Sequence, residues 1–242
     1  MGEFLTNKRT LVTGSSRGIG FAIAEALVSA GANTVLCARN GKALDAAADR
    51  LRRGAQGRTV AAYPADVSKS DEVAGLFRFA DEALGGLDIL VNNAGFGLFR
   101  VAAELSAQEW DGLIATNLSA AFYCSREALQ RFRQSGGGWI INIGSLAGKN
   151  PFSGGSGYNA AKFGLTGFTE AMMMDHRHDN VKVSYIMPGS VDTQFGGAQS
   201  STRSDWKIAP GDIAQIVLDV LKMPERTLIS RVEVRPSRPP KN

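Results

Sequence analysis

Tyr158 and Lys162 stand four residues apart in a stretch with helical apolar spacing, so their side chains share one helix face. An unperturbed phenol, with a pKa of about 10, is a poor acid–base group at neutral pH. An ammonium one turn away favours phenolate. The spacing therefore predicts a lowered Tyr158 pKa and a group able to exchange a proton with a carbonyl oxygen. Ser145 ends the apolar run 138–145, where its hydroxyl can hold a substrate oxygen beside the phenol. Asn117 falls within a long helical stretch, where an asparagine by itself is unremarkable. His176 and His178 lack partners at ligand spacing, so no metal site is expected.

A second group has the character of a binding site. Thr13-Gly14-Ser15-Ser16-Arg17-Gly18-Ile19-Gly20 lies where an apolar run becomes a helical pattern. A helix N-terminus offers free N–H groups and partial positive charge, which suit a pyrophosphate. Gly14 permits the tight turn, while Gly18 and Gly20 let backbone approach phosphate and let the helix pack close to a sheet. The next apolar run ends Cys37-Ala38-Arg39-Asn40, with no acid to bond ribose hydroxyls. Arg39, with Arg17 reaching over from the glycine turn, suits a 2′-phosphate instead. The expected cofactor is NADP(H), with NAD(H) as the alternative.

These groups need a scaffold that gathers the ends of apolar runs. Such runs, at 9–14, 33–39, 59–66, 87–95, 138–145, 181–189 and 227–236, alternate with helical patterns at 18–30, 41–53, 69–84, 106–134, 157–177 and 212–222. Ser68 is expected to cap the third helix, and Ser106 with Glu109 to form a capping box for the fourth. The alternation predicts an α/β fold: a single-domain, Rossmann-like, doubly wound parallel sheet of about seven strands with helices on both faces. Ligands bind such sheets outside the carboxyl ends of the strands, where Ser145 and the glycine turn fall. Residues 190–208 read as a polar substrate loop and 236–242 as a flexible tail. Phe96, Phe99, Phe152, Met187 and Phe195 predict an apolar pocket lining, whereas Trp110, Phe122 and Phe132 read as buried and Met172–Met174 as packing in a core or subunit contact.

Composition bounds the function. The chain has 242 residues, 44% hydrophobic and 21% charged, which excludes disorder. Its net charge is +4, and the only local basic bias is Arg231, Arg235, Arg238 and Lys241, so no nucleic-acid partner is expected. Cys37 and Cys124 sit among apolar neighbours, which predicts buried free thiols and a reducing, cytoplasmic setting. No run reaches the about 18 apolar residues of a membrane span.

Thr13-Gly-x-x-x-Gly18-x-Gly20, Asp66-Val67, Asn92-Asn93-Ala94-Gly95, Asn117, Ser145, Tyr158-x-x-x-Lys162 and Pro188-Gly189 occur in one order. In that order and spacing the chain resembles the short-chain dehydrogenase/reductase family. The resemblance implies that Asp66 and Val67 flank the adenine and that Asn93, Ala94 and Gly95 support cofactor and sheet. It implies that Pro188, Gly189, Val191 and Thr193 contact the nicotinamide, that Lys162 bonds its ribose, and that Asn117 supports a water chain from the lysine to solvent. The implied activity is NADP-dependent interconversion of a secondary alcohol and a ketone or aldehyde, 3-oxoacyl-type reduction included. The implied assembly is a homotetramer or homodimer built on 106–134 and 157–177. Many relatives close on an aspartate and two glycines, where this chain reads Ser230-Arg-Val-Glu-Val-Arg-Pro. The competing reading is a catalytically silent, dinucleotide-sensing regulatory or scaffold protein, against which the intact Ser145, Tyr158 and Lys162 set argues.

Overall fold

The computed structural model describes residues 3–197 and 205–240. Its strands are β1 (Arg9–Thr13), β2 (Asn33–Ala38), β3 (Val60–Pro64), β4 (Ile89–Asn92), β5 (Gly138–Ile143), β6 (Val181–Pro188) and β7 (Arg231–Val234). They form one sheet in the order β3-β2-β1-β4-β5-β6-β7, and every pairing is parallel. Parallel neighbours require crossover connections. These are supplied by α1 (Gly18–Ser29), α2 (Gly41–Arg52), α3 (Ser70–Leu84), α4 (Ala107–Ile114), α5 (Ala120–Ser135), α6 (Ser156–His176) and α7 (Pro210–Leu221).

Both faces of the sheet are covered. Ile23, Leu27, Leu44 and Val217 pack α1, α2 and α7 on one side. Leu76, Phe77, Ala128, Phe132 and Met172 pack α3, α5 and α6 on the other. Leu11 and Val12, adjacent in β1, are both fully buried but in opposite layers. That is why the strands read as continuous apolar runs. The expected Rossmann-like doubly wound sheet is thus observed. Its strand order reverses between β1 and β4, which opens a cleft at the carboxyl edge.

Several element boundaries differ from expectation. The long helix over 106–134 is broken by a π-helical turn, Ala115–Ser119, between α4 and α5. Its capping box of Ser106 and Glu109 is present. Ser68 does not cap α3, because its amide and hydroxyl both donate to Asp66 Oδ1 at 3.1 and 2.7 Å. Lys69 therefore stands at the N-cap without a side-chain bond. α7 begins at Pro210, the favoured first helical residue, and Asp212 bonds back to the Ala209 N–H at 3.0 Å. Only Arg231–Val234 of the run 227–236 pairs in the sheet. Within the 190–208 loop, Val191 and Ile208 form an isolated parallel bridge; residues 198–204 lie outside the described residues, as do 241–242 of the tail. Among the described residues no helix is long and apolar enough to cross a membrane. Cys37 and Cys124 are buried and free, as expected.

Candidate active site

A cavity of about 1360 Å³ opens at the carboxyl edge of the sheet. One end is the glycine turn. Gly14 and Gly18 hold φ of +65° and +60°, a region that favours glycine. A Cβ on Gly20 would collide with Asn93 Nδ2 and the Gly14 carbonyl. Asn93 Nδ2 donates to the Thr13 and Gly14 carbonyls at 3.0 and 3.1 Å. Thr13 Oγ1 accepts the Asn93 and Ala94 N–H groups, each at 3.0 Å. The turns after β1 and β4 are thereby locked together. No side chain caps α1, and no acid stands in its first turn. Its N-terminal N–H groups therefore face the cleft with their dipole uncompensated.

Gly14, Arg17, Gly18, Ile19, Asn93, Ala94 and Gly95 line this end. Pro188, Gly189, Val191 and Thr193 line the wall that follows β6. Ser16, Gly20, Arg39, Asp66, Val67 and Asn117 are off the wall, and so are Phe96 and the fully buried Met187, which were expected to line the apolar pocket. Arg39 is exposed just beyond β2. Burial pushes the nearby Asp66 carboxyl up, but hydrogen bonds from Ser68 and the charges of Arg39 and Lys69 outweigh it and hold the carboxyl below its ordinary range. Arg17 Nη1 donates to Gln194 Oε1 at 2.8 Å, which ties the glycine turn to the segment after β6. A Cβ on Gly18 would lie 3.3 Å from Thr193 in the same segment.

The other end is the corner where β5 meets α6. Gly144 lets the chain pass the Tyr185 ring, which any side chain there would strike. Ser145 follows in extended conformation, and its Oγ accepts the Ala147 N–H at 3.1 Å. Tyr158 and Lys162 share the face of α6 that borders the cavity, with the Lys162 ammonium 5.7 Å from the Tyr158 ring centre. Asn159, the residue after Tyr158, donates to the Ala147 carbonyl at 2.7 Å and pins the Ser145 turn to α6.

The electrostatics of this corner reverse one expectation. Burial pushes the Tyr158 phenol up to about 12, and its hydrogen bond with Ser145 pulls it only partly back. Burial also pushes Lys162 down to about 8. Tyr158 is 6% exposed and Lys162 4%. The ammonium donates to the Ile143 carbonyl at 3.4 Å rather than to the phenol oxygen. Desolvation thus outweighs the lysine that the four-residue spacing counted on.

Asn117 sits in the π-helical turn, the kind of irregularity that recurs at functional sites. Its Nδ2 donates to the Phe96 and Leu113 carbonyls at 3.0 and 3.1 Å. Its Oδ1 is buried without a partner. A Cβ on Gly95 would lie 2.7 Å from that oxygen and 3.8 Å from Lys162 Nζ, so amide and ammonium converge on the same space. Sequence reading missed Asn159, Gln194 and Tyr185. Tyr185 is buried on β6 and bonded by Thr166 at 3.2 Å. Nothing in their types or spacing marked them. Among the described residues no cluster of metal-ligating side chains exists.

A doubly wound sheet with a glycine cradle and a Ser–Tyr–Lys corner in one cavity defines a Rossmann-like protein of the dehydrogenase type. The family model described as short chain dehydrogenase matches residues 8–204, and the chain belongs to that family. It is 36% identical over 231 residues to the D-beta-hydroxybutyrate dehydrogenase of Cupriavidus necator, covering 95% of this chain and 88% of that one. An alcohol dehydrogenase from the archaeon Thermococcus sibiricus, solved with 5-hydroxy-NADP, superposes with a TM-score of 0.90 at 30% identity, covering 97% and 99% of the two chains. A metagenomic short-chain oxidoreductase solved with NADP superposes with a TM-score of 0.85 at 37% identity, with the same coverages.

Proposed function

We propose that the protein is an NADP(H)-dependent oxidoreductase interconverting a secondary alcohol and a ketone or aldehyde. The observation that carries this reading is that Ser145, Tyr158 and Lys162 line the same cavity as the glycine cradle. The cradle fits a dinucleotide. Gly14 and Gly20 let the turn pack against Asn93 and Ala94 at the cleft, α1 presents uncapped N–H groups, and Asn117 Oδ1 is an orphan beside Lys162. Arg39, exposed at the end of β2 where an acid would favour NAD(H), supports NADP(H), as do the NADP-type ligands of the two solved relatives.

A bound nicotinamide supplies or accepts the hydride. The protein handles the proton and the oxygen. A phenol held near 12 keeps its proton at neutral pH, so Tyr158 donates to the carbonyl oxygen during reduction. Ser145, whose Oγ already accepts from Ala147, directs its own proton to that oxygen and stabilises developing charge. Lys162 orients the ribose and, with Asn117, connects the phenol to solvent. Residues 190–208 serve as substrate loop of a single catalytic domain. Trp110 and Phe122, expected to be buried, are exposed in the single chain, and with Phe163 and Met174 on α4, α5 and α6 they support a homodimer or homotetramer, which sedimentation checks. Buried thiols, with Cys37 pushed to about 12, suit a cytoplasmic setting.

The test is NADPH consumption with a ketone panel, beside Tyr158→Phe. The wild type is expected to turn over and the variant to bind NADPH without doing so. Turnover that survives the substitution would remove Tyr158 as proton donor.

A further inference from the structure

We propose that the substrate carries an aromatic ring, gripped by Phe99, Phe152 and Phe195 while its carbonyl meets Tyr158. The reaction part of this statement rests on the reductase reading above; the ring specificity rests on the phenylalanines. They come from three separate segments: Phe99 between β4 and α4, Phe152 just before α6, and Phe195 after β6. They nevertheless converge. Phe99 meets Tyr158 edge-on at 5.6 Å and 88°. Phe195 meets Tyr158 at 5.8 Å and 61°, and Phe99 meets Phe152 at 5.5 Å and 69°.

All three line the cavity, yet they are 50%, 44% and 40% exposed. Three large rings left to water in a recess, one phenol away from the reactive corner, form an apolar surface that a ligand covers. The backbone makes room for this convergence. A Cβ on Gly97 would lie 2.6 Å from Phe195 Cε1 and 2.9 Å from Phe99 Cζ. Gly196, with φ of +70°, brings its α-carbon against the Phe99 ring, where a Cβ would lie 3.2 Å from Cε2. Two glycines without side chains therefore set the spacing of the rings. Edge-to-face pairing draws on the ring quadrupole, so an aromatic ligand gains more here than a saturated one of equal area.

The test compares 1-phenylpropan-2-one with 1-cyclohexylpropan-2-one, whose carbonyls are unconjugated and whose skeletons match, alongside dihydroxyacetone. With NADPH, kcat/KM for the phenyl ketone is expected to exceed that for the cyclohexyl ketone about three- to tenfold. The ratio is expected to collapse toward one in Phe99→Leu and Phe195→Leu, both at partly exposed positions. Saturation-transfer NMR of the same ketones with the protein and NADP+ reads the ring contact without turnover. Ring-proton saturation is expected in the wild type and is expected to weaken in both variants. Equal kcat/KM for the matched pair, a preference for dihydroxyacetone, or absence of ring saturation overturns the proposal. Ring saturation that disappears in the variants, with no ketone consuming NADPH, supports the aromatic grip and overturns the reductase reading alone.

Discussion

At the glycine cradle, position is held by what is missing. A side chain at Gly14 or Gly20 would run into Ala94, Asn93 or the backbone itself. At the corner of β5 and α6, position is held by what is buried: a phenol and an ammonium whose ionisation the surroundings set, beside the half-buried Ser145. The cradle is a steric device, insensitive to pH and intolerant of one added methyl. The corner is also tightly packed, at Gly144 against the Tyr185 ring, but its chemistry is electrostatic and sensitive to a single proton. Substitutions of similar size should therefore fail in different ways at the two ends of one cavity.

The largest effect is expected at the corner. Tyr158→Phe removes one oxygen, keeps the ring contacts with Phe99 and Phe195, and should lower kcat about a thousandfold. NADPH affinity and melting temperature should hardly move. A comparable loss of both binding and activity would mean that the phenol supports the cradle, and the division between the two ends would fail. Gly20→Ala is the reciprocal case. Its added methyl meets Asn93 and the Gly14 carbonyl and should cost about 3 kcal/mol of stability and weaken NADPH binding. Gly167→Ala, on α6 with nothing within reach of its Cβ, should instead stabilise by about 0.5–1 kcal/mol. Thermal melts of the pair separate steric exclusion from simple helix propensity.

The same contrast decides how much was legible beforehand. The sheet, its helices and the cradle could be read because each leaves a residue-type signature. Strands covered on both faces become continuous apolar runs such as 138–143, and excluded Cβ atoms become Gly14, Gly18 and Gly20. Ser145, Tyr158 and Lys162 could be placed by spacing on known elements. Their ionisation could not, because burial is a property of the folded surroundings: the sequence counted one ammonium and could not count the water removed from the phenol. The π-helical turn at Asn117 was also invisible, since Ala115–Ser119 has no breaker and reads as ordinary helix. Arg17 was read as reaching a 2′-phosphate from the side opposite Arg39; its bond to Gln194, a partner far along the chain, could not be read from sequence.

Lys162→Met sharpens the electrostatic half of the contrast. With its folded pKa depressed to about 8, the lysine loses its proton in the folded protein before it does so in the unfolded chain. The unfolded chain then binds more protons, so stability rises with pH from about 8 toward the ordinary lysine value near 10.5. Below pH 8 the full cost of the buried charge is present. The variant should be inactive yet about 2 kcal/mol more stable at pH 7. The wild type should gain about 1 kcal/mol relative to it between pH 7 and 9, by urea unfolding at each pH. A variant less stable than the wild type at pH 7 would show that the ammonium is better solvated than its burial implies.

The last contrast concerns the two arginines at the nucleotide end. Arg39 is exposed beyond β2, near the Asp66 carboxylate, whereas Arg17 is tied across the cleft to Gln194 at 2.8 Å. If discrimination for a 2′-phosphate resides at the end of β2, Arg39→Ala should weaken NADPH about tenfold, the size of one charge-assisted bond, and leave NADH nearly unchanged. Arg39→Asp should go further and favour NADH. Arg17→Ala should weaken both dinucleotides by a similar factor of about 3, because it loosens the cradle against the segment after β6 without addressing the extra phosphate. Titrating cofactor fluorescence across the three variants gives the answer directly. An Arg17→Ala protein that loses its NADPH preference while Arg39→Ala keeps it would move the discrimination from the strand end into the glycine turn. The cradle would then be an electrostatic device as well.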